Sequence, residues 1–343
     1  MNFQSSDTPL VSVVVPCYNE VDFIENFLIE LNEQTYKNIQ IIIADGDSDD
    51  GTKQVLNKLK KEYRNLYIVE NKNRIVSTGL NLAIKKSIGS IIVRFDVHTK
   101  YDKCYISEAV KLILTNNYDC VGGAWDIFLP NNNIGRGIAL SFKSYFGSGG
   151  ARSRSNDYSG KVDTVYLGAW KREIFDKLGF FDEMLVRNQD DEFCHRIILN
   201  QGIIYQSSSI KSTYFGRDSF SKLKNQFYQY GYWKPFVILK HMSVASLRHL
   251  APSFLVLFYL TLLCLAFLDI LFLFVGIVIK FTYLLIILTS LRYQFRDEKL
   301  ITIIIATFAV MVNHFSYGIG FIMGLFRTIF KNRKPLSRYK ISR

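Results

Sequence analysis

The stretch Ile91–His98 has the sequence IIVRFDVH, and the organisation of the chain follows from it. Its first part, together with Ser90, is a run rich in β-branched residues, which is typical of a strand buried on both faces of a parallel sheet. Asp96 and His98 follow where that strand leaves the sheet. Because ligands of open α/β folds bind at the carboxyl ends of strands, this stretch predicts an α/β fold with a binding site at Asp96.

A carboxylate and an imidazole at this spacing can both face one cation. Asp96 and His98 would form a mixed oxygen and nitrogen pair, which suits Mn²⁺ better than Mg²⁺ because Mg²⁺ prefers oxygen ligands. The alternative is that Asp96 is an ordinary turn residue followed by an exposed histidine. The stretch by itself leaves both interpretations open.

Strands alternate with amphipathic helices through the first hundred residues. Leu10–Pro16 predicts a first strand that ends at Pro16, and Ile39–Ala44 predicts a second. Helical spacing of apolar residues lies between the strands, and this alternation is typical of a right-handed parallel sheet. Asp45 and Asp96 each follow a strand, so we expect them on the same edge of one sheet.

The loop that begins at Asp45 has the sequence DGDSDDGT and ends at Thr52. A phosphate cradle needs backbone N–H groups and a lysine, so an acidic loop of this kind does not predict a P-loop. It suits contact with a base or a ribose instead, with the phosphates held through a metal ion.

Positive charge and apolar residues are both concentrated late in the chain. Residues 292–343 carry ten Lys and Arg against two acids, which supplies +8 of the net charge of +12. A basic tail beside apolar segments indicates an anionic membrane surface rather than nucleic acid as the partner. The polar segment Met1–Pro9 has no apolar signal-peptide core, so we expect the first domain to stay in the cytosol.

Two long apolar stretches precede the tail. Phe254–Leu291 contains only two charges, Asp269 and Lys280, and predicts a helical hairpin with Asp269 near the turn. Ile301–Phe326 is a further apolar stretch. Three full crossings from a cytosolic domain would put the basic tail outside, against the positive-inside rule. We therefore expect one apolar stretch to be re-entrant or interfacial.

Three motifs in this order resemble those of the family 2 glycosyltransferases with the GT-A fold. They are VVVPCYNE at 13–20, ADGDSDDGT at 44–52 and RFDVH at 94–98. The branch resembled comprises membrane-attached bacterial enzymes of the succinoglycan glucosyltransferase type, which build exopolysaccharide repeat units on a lipid carrier. The resemblance implies a cytosolic α/β domain at 1–235, with the Rossmann-like mixed sheet of the GT-A nucleotide-diphospho-sugar transferase fold. It implies interfacial and transmembrane helices with a basic tail at 236–343.

The resemblance also implies a site for a nucleotide-diphosphate sugar, with a UDP-sugar as the expected donor. In the family, the position of Asp45 contacts the base, and the position of Asp96 begins the metal-binding D-x-D motif. This chain has His98 where D-x-D has its second Asp, and the implied cofactor is Mn²⁺ or Mg²⁺ held by Asp96 and His98. The residues assigned to donor binding are Pro16, Tyr18, Glu20, Asp45, Arg74, Arg94 and Asp96.

The stretch RNQDDEFCHR at 187–196 resembles the catalytic segment of the family, which places Glu-Asp at the head of a helix and Arg seven residues after that Glu. Counting back seven from Arg196 gives Gln189, so Asp190 matches the catalytic base and Gln189 replaces the Glu. The preference of helix N-termini for acids is an alternative explanation of the acidic run. The segment QYGYW at 229–233 only loosely resembles an acceptor-side motif. The residues expected on the acceptor side are Gln189, Asp191, Glu192 and Trp233.

These inferences predict an inverting glycosyltransferase that moves a sugar to a lipid-linked saccharide in exopolysaccharide, capsule or cell-surface glycan synthesis. We expect it at the inner (plasma) membrane, with the catalytic domain facing the cytoplasm. Two rival functions are a processive polysaccharide synthase and a non-catalytic, membrane-anchored protein that binds a nucleotide sugar during complex assembly. The synthase is less favoured because the acceptor-side motif is weak and the membrane region is small.

Overall fold

The computed structural model describes residues 8–244 and 246–330, and the chain divides into two units. The first unit consists of Met1–Asp126 and Ser155–Tyr214, and the second of Ile127–Arg154 and Phe215–Arg343. The expected boundary at residue 235 therefore differs from the observed division, because residues 127–154 and 215–235 pack with the apolar helices. The part of the expected basic tail from 331 to 343 lies outside the described residues.

Strands are concentrated in the first unit, where they form two sheets. The strands are β1 (Val11–Cys17), β2 (Ile39–Asp45), β3 (Leu66–Glu70), β4 (Ile91–Arg94), β5 (Thr99–Tyr101), β6 (Cys120–Gly123), β7 (Trp125–Ile127), β8 (Gly160–Lys161), β9 (Tyr166–Lys171), β10 (Ile204–Gln206) and β11 (Ser212–Tyr214). The larger sheet has the order β3-β2-β1-β4-β9-β6-β10-β8, and the smaller has the order β5-β11-β7. Strands β1 to β4 run parallel, whereas β9 runs antiparallel to β4 and β6, so the sheet is mixed as expected.

Helices occur in both units. They are α1 (Ile24–Asn32), α2 (Thr52–Glu62), α3 (Val76–Lys86), α4 (Tyr105–Asn116), α5 (Asn133–Lys143), α6 (Tyr145–Ser148), α7 (Arg172–Leu178), α8 (Gln189–Leu199), α9 (Phe220–His241), α10 (Ala251–Leu265), α11 (Leu271–Gln294) and α12 (Leu300–Phe330). Helices α5, α6 and α9 to α12 belong to the second unit, and the others belong to the first.

The central strands are buried on both faces, as the β-branched run predicts. In β1, Val13 packs in a core with residues of α1, α2 and α4, while Val14 packs in a second core with residues of α3, α7 and α8. In β4, Val93 and Ile92 divide between the same two cores. Successive side chains of a strand point to opposite faces, so a continuous apolar run supplies both cores at once.

Pro16 lies inside β1, and the prediction that it ends the strand is wrong. Pro16 pairs with Ala44 of β2, and Cys17 completes the strand. The carbonyl oxygen of Val14 accepts a hydrogen bond from the backbone N–H of Phe95, on the side of β1 that faces β4. Alternate residues of a strand direct their backbone groups to the same side, so an N–H at Pro16 would also point toward β4. Pairing between β1 and β4 ends at Val14, and no ladder bond is lost at Pro16.

The apolar part of the second unit begins with the predicted hairpin. Helices α10 and α11 are joined by a short turn that contains Asp269, which confirms the position expected for this residue. Three helical segments are long and apolar enough to cross a membrane, namely Leu247–Leu265, Leu271–Gln294 and Leu300–Phe330.

Helix α9 continues through Pro235 and ends at His241, so the prediction that Pro235 ends it is wrong. A proline inside a helix removes one backbone hydrogen bond, and packing must compensate for that loss. Helix α9 packs along α12, and Pro235 is buried.

Three glycines allow the backbones of α9 and α12 to approach closely. A β-carbon on Gly320 would lie 2.2 Å from the carbonyl oxygen of Tyr228, and one on Gly324 would lie 2.1 Å from that of Tyr232. A β-carbon on Gly231 of α9 would lie 2.0 Å from the carbonyl oxygen of Tyr317. These distances leave no room for a side chain, so we call Gly231, Gly320 and Gly324 the glycine contact. Small residues serve the same purpose where helices pack in membranes.

We predict that Gly320→Ala lowers the melting temperature of the detergent-solubilised protein. The added methyl group must displace the backbone of α9, and overpacking of this kind costs about 1–3 kcal/mol. Gly276→Ala in α11 is the matched control, because the nearest atom to its β-carbon would be Cδ1 of Leu262 at 3.6 Å. Equal melting temperatures for the two variants in a thermal unfolding experiment would contradict the close packing of α9 and α12.

Candidate active site

Asp45 and Asp96 lie at the same edge of the large sheet, as expected. Asp45 is the last residue of β2, and Asp96 follows two residues after the end of β4. Strand β1 separates these two strands, and its last residue, Cys17, pairs with Asp45. The carboxyl ends of the three parallel strands therefore bring together the loops in which the expected site residues lie.

The side chain of Asp45 is buried and fixes the acidic loop to the end of β1. Its carboxylate accepts hydrogen bonds from the backbone N–H and the hydroxyl of Ser48, at 3.2 and 2.6 Å. The hydroxyl of Ser48 accepts in turn from the backbone N–H of Asn19 at 2.9 Å. The loop after β1 and the loop after β2 are thus held together by one buried carboxylate.

Tyr18 and Arg74 lie together beside this loop. The guanidinium carbon of Arg74 is 5.4 Å from the centre of the Tyr18 ring, and Nη2 of Arg74 is 3.0 Å from Oδ2 of Asp47. Hydrogen bonds from Lys53 and Arg74 lower the pKa of the exposed Asp47 carboxyl group. Tyr18 is partly buried, and its ring with the cation over it forms a flat surface at the edge of the sheet.

Glu20 and His98 come from different loops, and their side chains are in contact. Nε2 of His98 lies 2.8 Å from Oε2 of Glu20, whose side chain is 1% exposed. The backbone N–H of Glu20 donates to the hydroxyl of Thr52, and the ring of Phe23 meets the imidazole edge-on at 4.7 Å. A carboxylate that binds one nitrogen of an imidazole fixes the orientation of that ring.

Arg94 is the last residue of β4, and its guanidinium joins two carboxylates from distant parts of the chain. Its Nε and Nη2 donate to the two oxygens of Asp96 at 3.2 and 3.1 Å. Its Nη1 lies 3.7 Å from Oδ2 of Asp190, at the start of α8. The side chain of Arg94 is 7% exposed, whereas those of Asp96 and Asp190 are 33% and 42% exposed. The buried guanidinium thus supports two carboxylates that solvent reaches.

The charge of Arg94 is secure in this environment. Burial by itself would lower its pKa, because desolvation disfavours the charged form. The negative charges of Asp96 and Asp190 outweigh burial, and the pKa of Arg94 is raised above its ordinary value. Removing one partner of such a buried pair typically costs about 3–5 kcal/mol.

The tyrosine at position 101 helps to position Asp96. The backbone N–H of Asp96 donates to the hydroxyl of Tyr101 at 2.7 Å, and the ring of Tyr101 stacks on Phe95 with 3.7 Å between centroids. The sequence analysis did not identify Tyr101, since no motif marks it. It also assigned Arg94 only to donor binding, because its contact with Asp190 joins residues far apart in the chain.

The acidic run at the start of α8 divides into exposed and buried positions. Asp190 is partly exposed, whereas Gln189 is 5% exposed and Glu192 is fully buried. The guanidinium of Arg196 binds Glu192 at 2.8 Å and also donates to the carbonyl oxygens of Leu178 and Phe180. The burial of Glu192 therefore does not support the expected contact with an acceptor.

Trp233 is buried, whereas Pro16 is partly exposed. Trp233 is fully buried in the second unit, where it packs against Tyr232 and Phe236. Its burial does not support the expected role as an acceptor contact. Pro16 belongs to the ladder of β1, so its contribution to the edge of the sheet is made through the backbone.

The donor set decides whether these residues fit a divalent cation. Among residues 8–244 and 246–330, no three His, Cys, Asp or Glu side chains come together as a metal-binding group. Asp96 offers one partly exposed carboxylate, and His98 offers a partly exposed imidazole. Mg²⁺ is commonly held by one or two carboxylates together with substrate phosphates. The residues therefore fit a cation that arrives with a diphosphate.

Comparisons with known proteins place the chain among glycosyltransferases. Residues 12–179 match the sequence family described as Glycosyl transferase family 2. The succinoglycan biosynthesis protein ExoA of Rhizobium meliloti is 27% identical over 243 residues, which cover 70% of this chain and 73% of the relative. A relative from Methanococcus voltae is named dolichyl N-acetyl-alpha-D-glucosaminyl phosphate 3-beta-D-2,3-diacetamido-2,3-dideoxy-beta-D-glucuronosyltransferase. It is 26% identical over 67% of this chain and 74% of its own length. Glycosyltransferase AglE of Haloferax volcanii is 26% identical, and the match spans 62% of that protein.

A solved structure supports the fold. The mannosyltransferase PcManGT of Pyrobaculum calidifontis, in complex with GDP-Man and Mn²⁺, superposes with a TM-score of 0.62 at 17% identity. The superposition covers 90% of this chain and 86% of that protein. At this level of identity the likeness concerns the fold, which is of the GT-A type with its mixed sheet.

We predict that Glu192→Gln destabilises the first unit, whereas Asp191→Asn leaves its stability unchanged. The first change removes the charge of the buried Glu192 that pairs with Arg196, at a cost of about 3 kcal/mol. Asp191 is only partly buried and serves as the matched control in the same turn of α8. Denaturant unfolding of both variants measures the difference. A stable Glu192→Gln protein with weakened acceptor binding would instead favour an acceptor role for Glu192.

Proposed function

Since this chain is a glycosyltransferase with a family 2 domain, we propose that it moves a sugar, with inversion, from a nucleotide-diphosphate sugar to a lipid-linked saccharide. The reaction would belong to the synthesis of an exopolysaccharide, a capsule or another cell-surface glycan. The names of the relatives from Rhizobium meliloti and Methanococcus voltae support this class of pathway.

The observation that carries the proposal is the position of Arg94 between Asp96 and Asp190. Inverting transfer needs a group that holds the donor diphosphate and a base that activates the acceptor, and the two must act on opposite sides of one sugar carbon. Asp96 and Asp190 are suited to these two tasks, because both are partly exposed and one buried guanidinium fixes their separation. No covalent nucleophile is required for a single displacement.

Donor binding falls to residues of the strand ends. The loop after β2 is bordered by Asp45, Tyr18 and Arg74, and these residues would contact the base and the ribose. The loop is acidic and does not have the sequence of a phosphate-binding P-loop. Asp96 and His98 would hold Mn²⁺ or Mg²⁺ with the diphosphate, and such a cation offsets the negative charge of the leaving group. The Mn²⁺ and GDP-Man in the mannosyltransferase of the same fold support both parts of this assignment. Glu20 would orient His98 through the contact between its carboxylate and the imidazole Nε2.

Asp190 would act as the general base. As the acceptor oxygen attacks the anomeric carbon, Asp190 takes the hydroxyl proton, the bond from that carbon to the diphosphate oxygen breaks, and the nucleoside diphosphate leaves. Attack from the face opposite the leaving group inverts the centre, so a UDP-α-sugar would give a β-linkage. Asp190 lies at the second position of α8, where the helix N-terminus favours a negative charge.

The apolar helices of the second unit support an acceptor that is itself in a membrane. A saccharide linked to a lipid diphosphate remains at the membrane surface, and an enzyme anchored there meets it in two dimensions. We place the enzyme at the inner membrane with the catalytic residues on the cytoplasmic side, where nucleotide sugars are made. The basic residues after residue 292 favour this orientation.

The test of the base compares Asp190→Asn with Asp191→Asn. We expect Asp190→Asn to reduce the transfer rate about 10²–10⁴-fold, because the acceptor proton has no receiver, while donor affinity changes little. Asp191→Asn should keep most of the activity. The measurement is transfer of labelled sugar from a panel of nucleotide sugars to membrane lipid extract, with donor affinity measured by calorimetry. If Asp191→Asn abolishes transfer and Asp190→Asn does not, the base is Asp191. A protein that binds a donor but shows no transfer in its native form would favour the non-catalytic rival.

A second test concerns the cation. We expect donor affinity to fall at least about 10-fold when a chelator removes Mn²⁺, since the cation offsets the negative charge of the diphosphate. Asp96→Asn should remove this Mn²⁺ dependence, and His98→Ala should reduce it less because the imidazole carries no formal negative charge. Calorimetric titration of the donor with and without Mn²⁺ measures both effects. Equal donor affinity under the two conditions would show that Asp96 and His98 act without a cation.

A further inference from the structure

The three apolar helical segments differ in how far protein covers them. Within its most apolar window, the segment Leu247–Leu265 is 17% buried and Leu271–Gln294 is 6% buried, whereas Leu300–Phe330 is 44% buried. Helices α10 and α11 therefore present most of their surface outward, as membrane-crossing helices do. Helix α12 contacts α10 and α11, and it is further covered by α5 and α9, which are not among the three candidate spans.

Helix α5 covers the first half of α12. Asn133 at the start of α5 lies 3.4 Å from Thr302, and Ser141 near its end lies 3.4 Å from Asn313. The two helices therefore run in the same direction. Lys143, two residues after Ser141, is exposed, so a charged side chain lies beside the middle of α12.

Helix α9 covers the second half of α12 through the glycine contact. Tyr228 meets Gly320 and Tyr232 meets Gly324, so these two helices also run in the same direction. The glycine contacts, extended along both helices, place Phe220, the first residue of α9, level with residues 306–312 of α12. Helix α9 thus begins at a level that would lie within the hydrocarbon core if α12 crossed the bilayer.

The first turn of α9 is strongly charged. Lys222 and Lys224 are exposed, and Lys222 pairs with the exposed Asp218 at 3.0 Å. If α12 crossed the bilayer, these charges and Lys143 would lie in the hydrocarbon core. Each charge at such a depth disfavours insertion about 10²-fold. A single lysine, such as Lys280 in α11, can extend its long side chain toward the surface, but charges on two helices at one level cannot all do so.

We propose that only the hairpin of α10 and α11 crosses the membrane, and that α12 lies in the plane of the membrane surface together with α5 and α9. The occupant of the exposed face of α12 is the boundary between lipid headgroups and acyl chains, which accepts apolar side chains on one face of a helix and charged ones on the other. Exposed apolar side chains of α12 available for this contact are Phe308, Ile319, Met323 and Phe326.

This topology agrees with the distribution of charge. Two crossings return the chain to the side from which it entered, so the segments before α10 and after α11 share one side. The six Lys and Arg that follow Phe330 in the sequence then lie on the cytoplasmic side, as the positive-inside rule requires. Three crossings would place them outside. The inference stands independently of the donor, the acceptor and the proposed base.

Reporter fusions to the full chain in bacterial cells test the number of crossings. Green fluorescent protein fluoresces only in the cytoplasm, and alkaline phosphatase is active only outside it. We expect fluorescence from a fusion after Arg343 and from one before Met1, and phosphatase activity from an insertion between Phe267 and Leu268 in the turn of the hairpin. Phosphatase activity from the fusion after Arg343 would overturn the proposal, and so would fluorescence from the insertion in the turn.

A matched pair of substitutions tests the position of α12 separately. Ile277 of α11 and Ile319 of α12 are 45% and 46% exposed. We expect I277K, which adds a second charge near Lys280, to reduce the phosphatase activity of the turn insertion at least 10-fold. We expect I319K to leave the reporters at the turn and after Arg343 within twofold of the parent, because a lysine at the membrane surface can reach water. Any other pattern for the pair would overturn the proposal.

Discussion

The buried guanidinium of Arg94 is the interaction on which the active site depends. It carries a permanent charge at the end of a central strand, where water cannot neutralise it, and so it requires carboxylates from its surroundings. One comes from Asp96, two residues further along the chain, and the other from Asp190, at the head of a helix that packs on the opposite face from α1. The charge requirement brings both carboxylates to one guanidinium, and the packing of α8 on the sheet holds Asp190 beside it.

The sequence predicted those parts of the fold that depend on residues close together in the chain. The apolar run before Asp96 identifies a strand buried on both faces, because each of its residues must enter one of two cores. The start of α8 was predicted correctly, since the acids at 190–192 match the charge preference of a helix N-terminus. The roles within that run could not be separated, because Glu192 is buried by its partner Arg196 and by the carbonyl oxygens that Arg196 binds. The predictions that Pro16 ends a strand and that Pro235 ends a helix were wrong for the same reason. In each case neighbours that are distant in sequence decide whether the missing N–H is costly.

The division into units was the part least visible in the sequence. Composition changes near residue 250, where the apolar stretches begin, and this change suggests a boundary in the chain just before it. The structure instead joins α5 and α9 to the apolar helices. The contacts responsible include the pair of hydrogen bonds from Arg136 to Glu298 and the glycine contact. Such contacts leave no periodic pattern, because each depends on two positions far apart in the chain.

The contact between Arg136 and Glu298 also sets an order of events during synthesis. These residues are separated by 162 positions, and α5 is made long before its partner. At about 5–20 residues per second, the ribosome needs roughly 10–30 s after making α5 to reach Glu298 and the start of α12. During that interval the strands of the first unit on both sides of residues 127–154 can already pair. The apolar side of α5 stays uncovered until α12 is made. The final assembly of the second unit is therefore a late step, because α5 has its partner only after translation reaches α12.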